Sequence, residues 1–168
     1  MGKFYAGLAD GLTPYVRMCA WLEAVPDPPP GDKKLAALKV PRRSRRQALR
    51  DNKEIPVLPP AEEGFYLVEY LFEAGPVEST GMGAVVLSWR ELRAWQKTMG
   101  ITLAPFEGNI LRRLSQEYLA ESQRATDPDC PPPWSPTLTA RDRDDISKRI
   151  REGFRMLIAT HPRNAARP

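Results

Sequence analysis

Proline placement constrains this chain more than any other feature. Its 168 residues include 18 prolines, against a usual share of roughly one residue in twenty. Nine fall in 1–60, two in 61–125 and seven in 126–168. Proline removes a backbone donor and restricts its predecessor, so long regular elements are favoured only in the middle third. Charge divides the same way. The three segments carry net charges of +5, −3 and +2, which make up the formal +4. The basic excess therefore belongs to the flanks.

Several classes are disfavoured on composition. No apolar run reaches the roughly 18–20 residues of a membrane span. The start, Met1-Gly2-Lys3-Phe4-Tyr5, lacks the apolar stretch of a signal peptide. Cys19 and Cys130 are too few and too far apart for a disulfide framework or a cysteine zinc site. His161 is the single histidine, which leaves a triad or a His-based metal site little to work with. The expectation is a cytoplasmic protein that is not an enzyme, with no cofactor, no catalytic residues and no metal.

Local signals predict a mostly α chain, a small helical bundle with proline-rich, partly irregular flanks. Four segments are expected: a proline-rich basic region over 1–58 with one short helix, a helical core unit over 59–123, a proline-rich linker over 124–138, and a C-terminal helix and tail over 139–168. Thr13 as cap and Pro14 at the first helical position predict a helix over 14–24, with Tyr15, Met18, Cys19 and Leu22 on one face. Residues 32–60 read as a basic linker or arm that orders against a partner, with one or two helical turns between Arg42 and Asn52. Pro59-Pro60 and the acids Glu62 and Glu63 predict the start of a helix through Phe65–Phe72. Apolar residues surround that helix except at Glu69 and Glu73, so burial on most sides is expected. Gly75-Pro76 ends it, and 75–86 reads as a glycine-rich loop without a hairpin.

Leu87-Ser88-Trp89-Arg90-Glu91-Leu92 carries a capping box, with Ser88 and Glu91 exchanging bonds, and a hydrophobic staple from Leu87 to Leu92. Gly100 stops the helix, with Ile101 folding back. Pro105 and Glu107 start the strongest amphipathic helix, over 105–123, with Phe106, Ile110, Leu114 and Tyr118 on one face. Thr139 and the stripe Ile146, Ile150, Phe154, Leu157 and Ile158 predict a last helix from about 140 to 159.

Three residue groups are candidates for function. Arg42, Arg43, Arg45 and Arg46 suit phosphate contacts, but no aromatic is interleaved with them for base stacking, so nucleic acid is disfavoured. The adjacent acids Glu62/Glu63 and Asp144/Asp145 do not face each other on a helix and read as helix-start decoration. Trp89, Trp95, Phe106 and Tyr118 are assigned to the fold. Phe65, Tyr66, Tyr70 and Phe72 exceed what one modest packing interface needs, and are the candidate partner-binding residues.

The order Leu87-Ser88-Trp89-Arg90-Glu91, Ala94-Trp95, Gly100, Leu103-Ala104-Pro105-Phe106-Glu107, Leu114 and Tyr118 resembles the tail assembly chaperones of long-tailed bacteriophages and related gene-transfer particles. The likeness extends to the Pro59-Pro60 lead-in and the aromatic helix, and spans about 59–123. Phe106 stands where the family usually has Trp, and the loop at 75–86 ends in Val85-Val86 rather than a second proline. The resemblance implies an assembly factor that binds the tape-measure protein, or other tail proteins, in the host cytoplasm and leaves before the particle is finished. Self-association stays open. The alternatives are a structural tail or head–tail component and a nucleic-acid-binding adaptor using the basic arm. Neither reading involves a membrane.

Overall fold

A computed structural model describes residues 3–28, 42–60 and 63–136, the side chains of Lys3 and Phe4 excepted. Backbone contacts divide the chain into Met1–Ser135 and Pro136–Pro168. The predicted helix over 140–159, its apolar stripe, Asp144, Asp145 and His161 lie outside the described residues, as do Lys33, Lys34, Lys39 and Glu62.

Met1–Ser135 is mostly α. Among the described residues it comprises helices α1 (Lys3–Glu23), α2 (Arg45–Asp51), α3 (Phe65–Ala74), α4 (Trp89–Met99) and α5 (Pro105–Arg124). Between α3 and α4 lies one antiparallel hairpin, β1 (Val77–Thr80) and β2 (Gly83–Val86). No helix among the described residues is long and apolar enough to cross a membrane.

The first helix is longer than its sequence signals. It begins at Lys3, not 14, and carries Pro14 in its interior. Thr13 is a helical residue whose hydroxyl donates to the Ala9 carbonyl at 2.9 Å, not a cap. Pro14 leaves the Asp10 carbonyl without its usual donor, which costs a helix interior about 3 kcal/mol. Burial outweighs that. Ala9, Leu12, Val16 and Ala20, at steps of three and four, are each no more than 1% exposed. Fully burying Leu12 and Val16 alone contributes about 1.5–3 kcal/mol each. Met18, Cys19 and Leu22 are buried as expected, beside this stripe.

The stripe meets α5, the most extensive contact in the fold. Ile110, Leu111 and Leu114 of α5 and Leu67, Val68 and Leu71 of α3 complete one apolar core with Leu87 and Leu92. The core thus draws on residues either side of position 58.

The region 75–86 is a hairpin rather than a loop. Val77 pairs with Val86 and Thr80 with Gly83. The Thr80 hydroxyl donates to the Gly83 carbonyl at 2.6 Å and closes the turn. Both strands are short and largely exposed, so they lack the alternating burial that marks a strand in sequence. Ser115 of α5 fixes the hairpin at both ends. Its buried hydroxyl accepts from the Leu87 amide at 2.9 Å and donates to the Pro76 carbonyl at 2.7 Å.

Caps set the other boundaries. Ser88 accepts from the Glu91 amide at 3.2 Å. Only that half of the expected capping box forms: the Glu91 carboxylate lies 3.6 Å from Arg90 instead. Leu87 and Leu92, the two ends of the staple, are both buried. Gly100 is left-handed, and Ile101 donates back to the Gln96 carbonyl at 3.1 Å. At the start of α5, Glu107 accepts from the Ala104 amide at 2.6 Å. Helix α3 starts at Gly64, also left-handed at φ 70°, and not on an acidic first turn.

Candidate functional site

On an α-helix each residue turns the side chain by about 100°. Phe65 and Phe72, seven apart, therefore share one side of α3, while Tyr66 and Tyr70, four apart, share another. The four candidate contact residues do not form one surface. Tyr70 packs against Trp95 at 5.1 Å between ring centres, and Tyr66 stacks edge-on to Tyr70 at 5.5 Å. The Tyr66 hydroxyl donates to the Glu107 carboxylate at 2.7 Å. Burial, and then that bond to a carboxylate, push the Tyr66 hydroxyl up to about 12. The expectation that α3 is buried on most sides fails here: Leu67, Val68 and Leu71 are buried, but Tyr66 and Phe72 are each 38% exposed, because α3 lies at the edge of the core. Glu69 and Glu73 are exposed as read.

Phe65 and Phe72 line an open groove of ≈ 280 Å³ between α1 and α3. Val68 of α3 and Tyr15 and Cys19 of α1 complete its apolar walls, and Glu23, Arg46 and Glu69 form its charged rim. The rings interlock: Tyr15 meets Phe65 edge-on at 5.2 Å, and Phe72 meets Tyr118 edge-on at 5.9 Å. Burial raises the Cys19 thiol above its ordinary value, against the opposing pull of Arg46. Burial and the neighbouring Cys19 do the same for Tyr15. Both groups are therefore neutral at pH 7, which keeps the floor of the groove uncharged. The α1 half of this site carries no local sequence signal that points to α3, because the two helices are joined only in the fold.

The four arginines of the basic arm are engaged within the chain. Arg42 donates to Asp27 and to the Pro26 carbonyl, both at 2.7 Å. Arg43 pairs with Asp51, and Arg46 with Glu23. Arg45 lies over the Trp21 ring at 4.7 Å and donates to the Asp127 carbonyl at 2.8 Å and to the Ala125 carbonyl. The described part of that segment, 42–60, thus docks on its own chain through α2, whose start is a full capping box between Ser44 and Gln47. That box is a readable signal, hidden by a helix with no buried residue.

The aromatics assigned to the fold divide. Phe106 stacks on Tyr5 at 4.2 Å, and Tyr118 joins the core edge. Trp95 buries its indole N–H without an acceptor among the described residues. Trp89 is 50% exposed. It rests on Gly108, where a Cβ would come within 2.9 Å of the ring, with the Arg112 guanidinium 5.0 Å from the ring centre. Among the described residues no three of His, Cys, Asp and Glu converge closely enough to hold a metal ion.

Compared with known protein families, curated proteins and solved structures, the chain matches none.

Proposed function

We propose that this protein is a tail assembly chaperone of a bacteriophage or gene-transfer particle, a non-enzymatic factor that binds the helical tape-measure protein before the tail tube closes around it. The observation that carries this reading is the groove between α1 and α3. It is open, uncharged at its floor and lined by Phe65 and Phe72, with room for one or two apolar side chains. An amphipathic client helix presents such side chains at every turn or two. The order of signals from Pro59 to Tyr118 supports the same reading.

The nucleic-acid alternative is weakened by the internal partners of Arg42, Arg43, Arg45 and Arg46. Part of the charge a phosphate would use is already offset there by a carboxylate or a carbonyl.

The test is affinity capture of the tagged full chain from particle-producing cells, with mass spectrometry of the eluate beside that of purified particles. The expected result is a long helical protein in the eluate and none of this chain in particles. This chain in finished particles would make it a structural component. Nucleic acid alone in the eluate would assign the adaptor role.

A further inference from the structure

Most ionised side chains on the described helices are bonded to an opposite charge or a carbonyl. Two pairs are not. On α3, Glu69 and Glu73 are exposed and form no ion pair or hydrogen bond among the described residues, although Glu69 shares its groove rim with Arg46. On α4, Arg93 and Lys97 are likewise exposed and unpartnered.

Each pair is spaced i,i+4, so each places two like charges about 6 Å apart on one helical face. Like charges at that spacing oppose the helix that carries them. Glu73 also sits in the last turn of α3, where the helix dipole disfavours a negative charge. The monomer therefore carries two unfavourable stripes, equal in spacing and opposite in sign.

Each stripe is flanked by a partly exposed aromatic. Tyr66 is three residues before Glu69 and 38% exposed, and Trp89 is four residues before Arg93 and 50% exposed. Trp89, Arg93, Lys97 and Ile101 line an open cleft of ≈ 650 Å³, and no acid lines it. The other unpartnered cations among the described residues, Arg50 and Lys53, share their cleft with Glu54.

We propose that this cleft is a self-association surface, and that the Tyr66–Glu69–Glu73 edge of a second copy docks on Trp89, Arg93 and Lys97. A reciprocal arrangement about a twofold axis satisfies both stripes of both copies at once. A single-stranded nucleic acid fits less well. It needs a longer basic groove and an open stacking platform, whereas two cations stand here and Arg112 already occupies a position over the indole.

Sedimentation velocity of the full chain tests this. The wild type is expected to show a concentration-dependent dimer that dissociates as ionic strength rises to ~1 M, where the Debye length falls to about 3 Å. Arg93→Glu with Lys97→Glu, or Glu69→Lys with Glu73→Lys, should weaken the dimer by about tenfold or more. Combining all four substitutions should restore it. The neutral pair Arg93→Gln and Lys97→Gln, checked by circular dichroism, gives an intermediate loss and guards against misfolding of the reversals. A wild-type monomer at all concentrations overturns the proposal. So does a dimer indifferent to either reversal, a four-fold variant that stays monomeric, or a monomer that responds only to added polyglutamate or single-stranded DNA.

Discussion

The middle of α1 and its C-terminal end are held by different chemistry. In the middle, Ala9, Leu12 and Val16 share one apolar cluster with Ile110, Leu111 and Leu114, with the exposed Asp10–Arg113 ion pair at its edge. At the far end, Trp21, Ala24, Ala125 and Cys130 form a small satellite cluster closed mainly by polar groups. There Trp21 donates to the Cys130 carbonyl at 3.0 Å, and Arg45 bridges α2 to the turn after α5. Beside it, Glu121 is fully buried and accepts from Arg17 at 3.2 Å and Arg124 at 2.7 Å. The first region gains stability from area removed from water. The second gains its definition from donors aimed at carbonyls and a carboxylate, bonds that each exchange for bonds to water and so add little net stability. The core should therefore unfold as one unit, and the junction should open locally before it.

The largest expected effect is in the core. Leu114→Ala removes a buried side chain between helices, and should cost about 2–5 kcal/mol by chemical denaturation. A loss below ~1 kcal/mol would mean that the site collapses around the cavity. Next is Ser115→Ala, which strands the buried Leu87 amide and should cost about 1–3 kcal/mol. Faster hydrogen exchange through 77–86 should accompany it, since Ser115 holds both ends of the hairpin. Arg45→Ala should cost about 1–2 kcal/mol, expressed mainly as faster exchange and proteolysis in 44–52, with the core melt little changed. Equal loss of protection in α1 and α2 would erase the contrast between the two regions.

The smallest effect is electrostatic. Tyr66 is held protonated beyond its ordinary value of 10.0, to about 12, by burial and by Glu107. The folded chain binds that proton more tightly than the unfolded chain. The associated stability is complete below pH 10 and is lost as pH rises through about 12. Glu107→Gln should bring the last tyrosine ionisation to lower pH in an absorbance titration. An unchanged curve would remove Glu107 as a cause.

What was legible in the sequence follows the same division. Helices α4 and α5 were readable because Ser88, Gly100, Pro105 and Glu107 mark their ends with local chemistry. The full length of α1 was not, because Pro14 is a strong start signal that tertiary burial overrides. The hairpin was missed because Val77–Thr80 and Gly83–Val86 bury little and alternate weakly. The docking of α2 was missed because arginine-to-carbonyl bonds leave no periodic trace. Of the candidate site, the aromatic helix was visible, and the 100° rotation per residue already separates Phe65 and Phe72 from Tyr66 and Tyr70. The contribution of Tyr15 and Cys19 was not visible, since only the packing of α1 brings them to the groove.

The central claim is that the groove between α1 and α3 receives a helical tail protein. The most direct measurement is a calorimetric titration of the purified full chain with the captured tape-measure protein, repeated with Phe72→Asp and with Arg45→Ala. The account predicts that Phe72→Asp abolishes binding while staying folded by circular dichroism, with a lower melting temperature from the lost Tyr118 contact, and that Arg45→Ala binds as the wild type does. Undiminished binding by Phe72→Asp would contradict it.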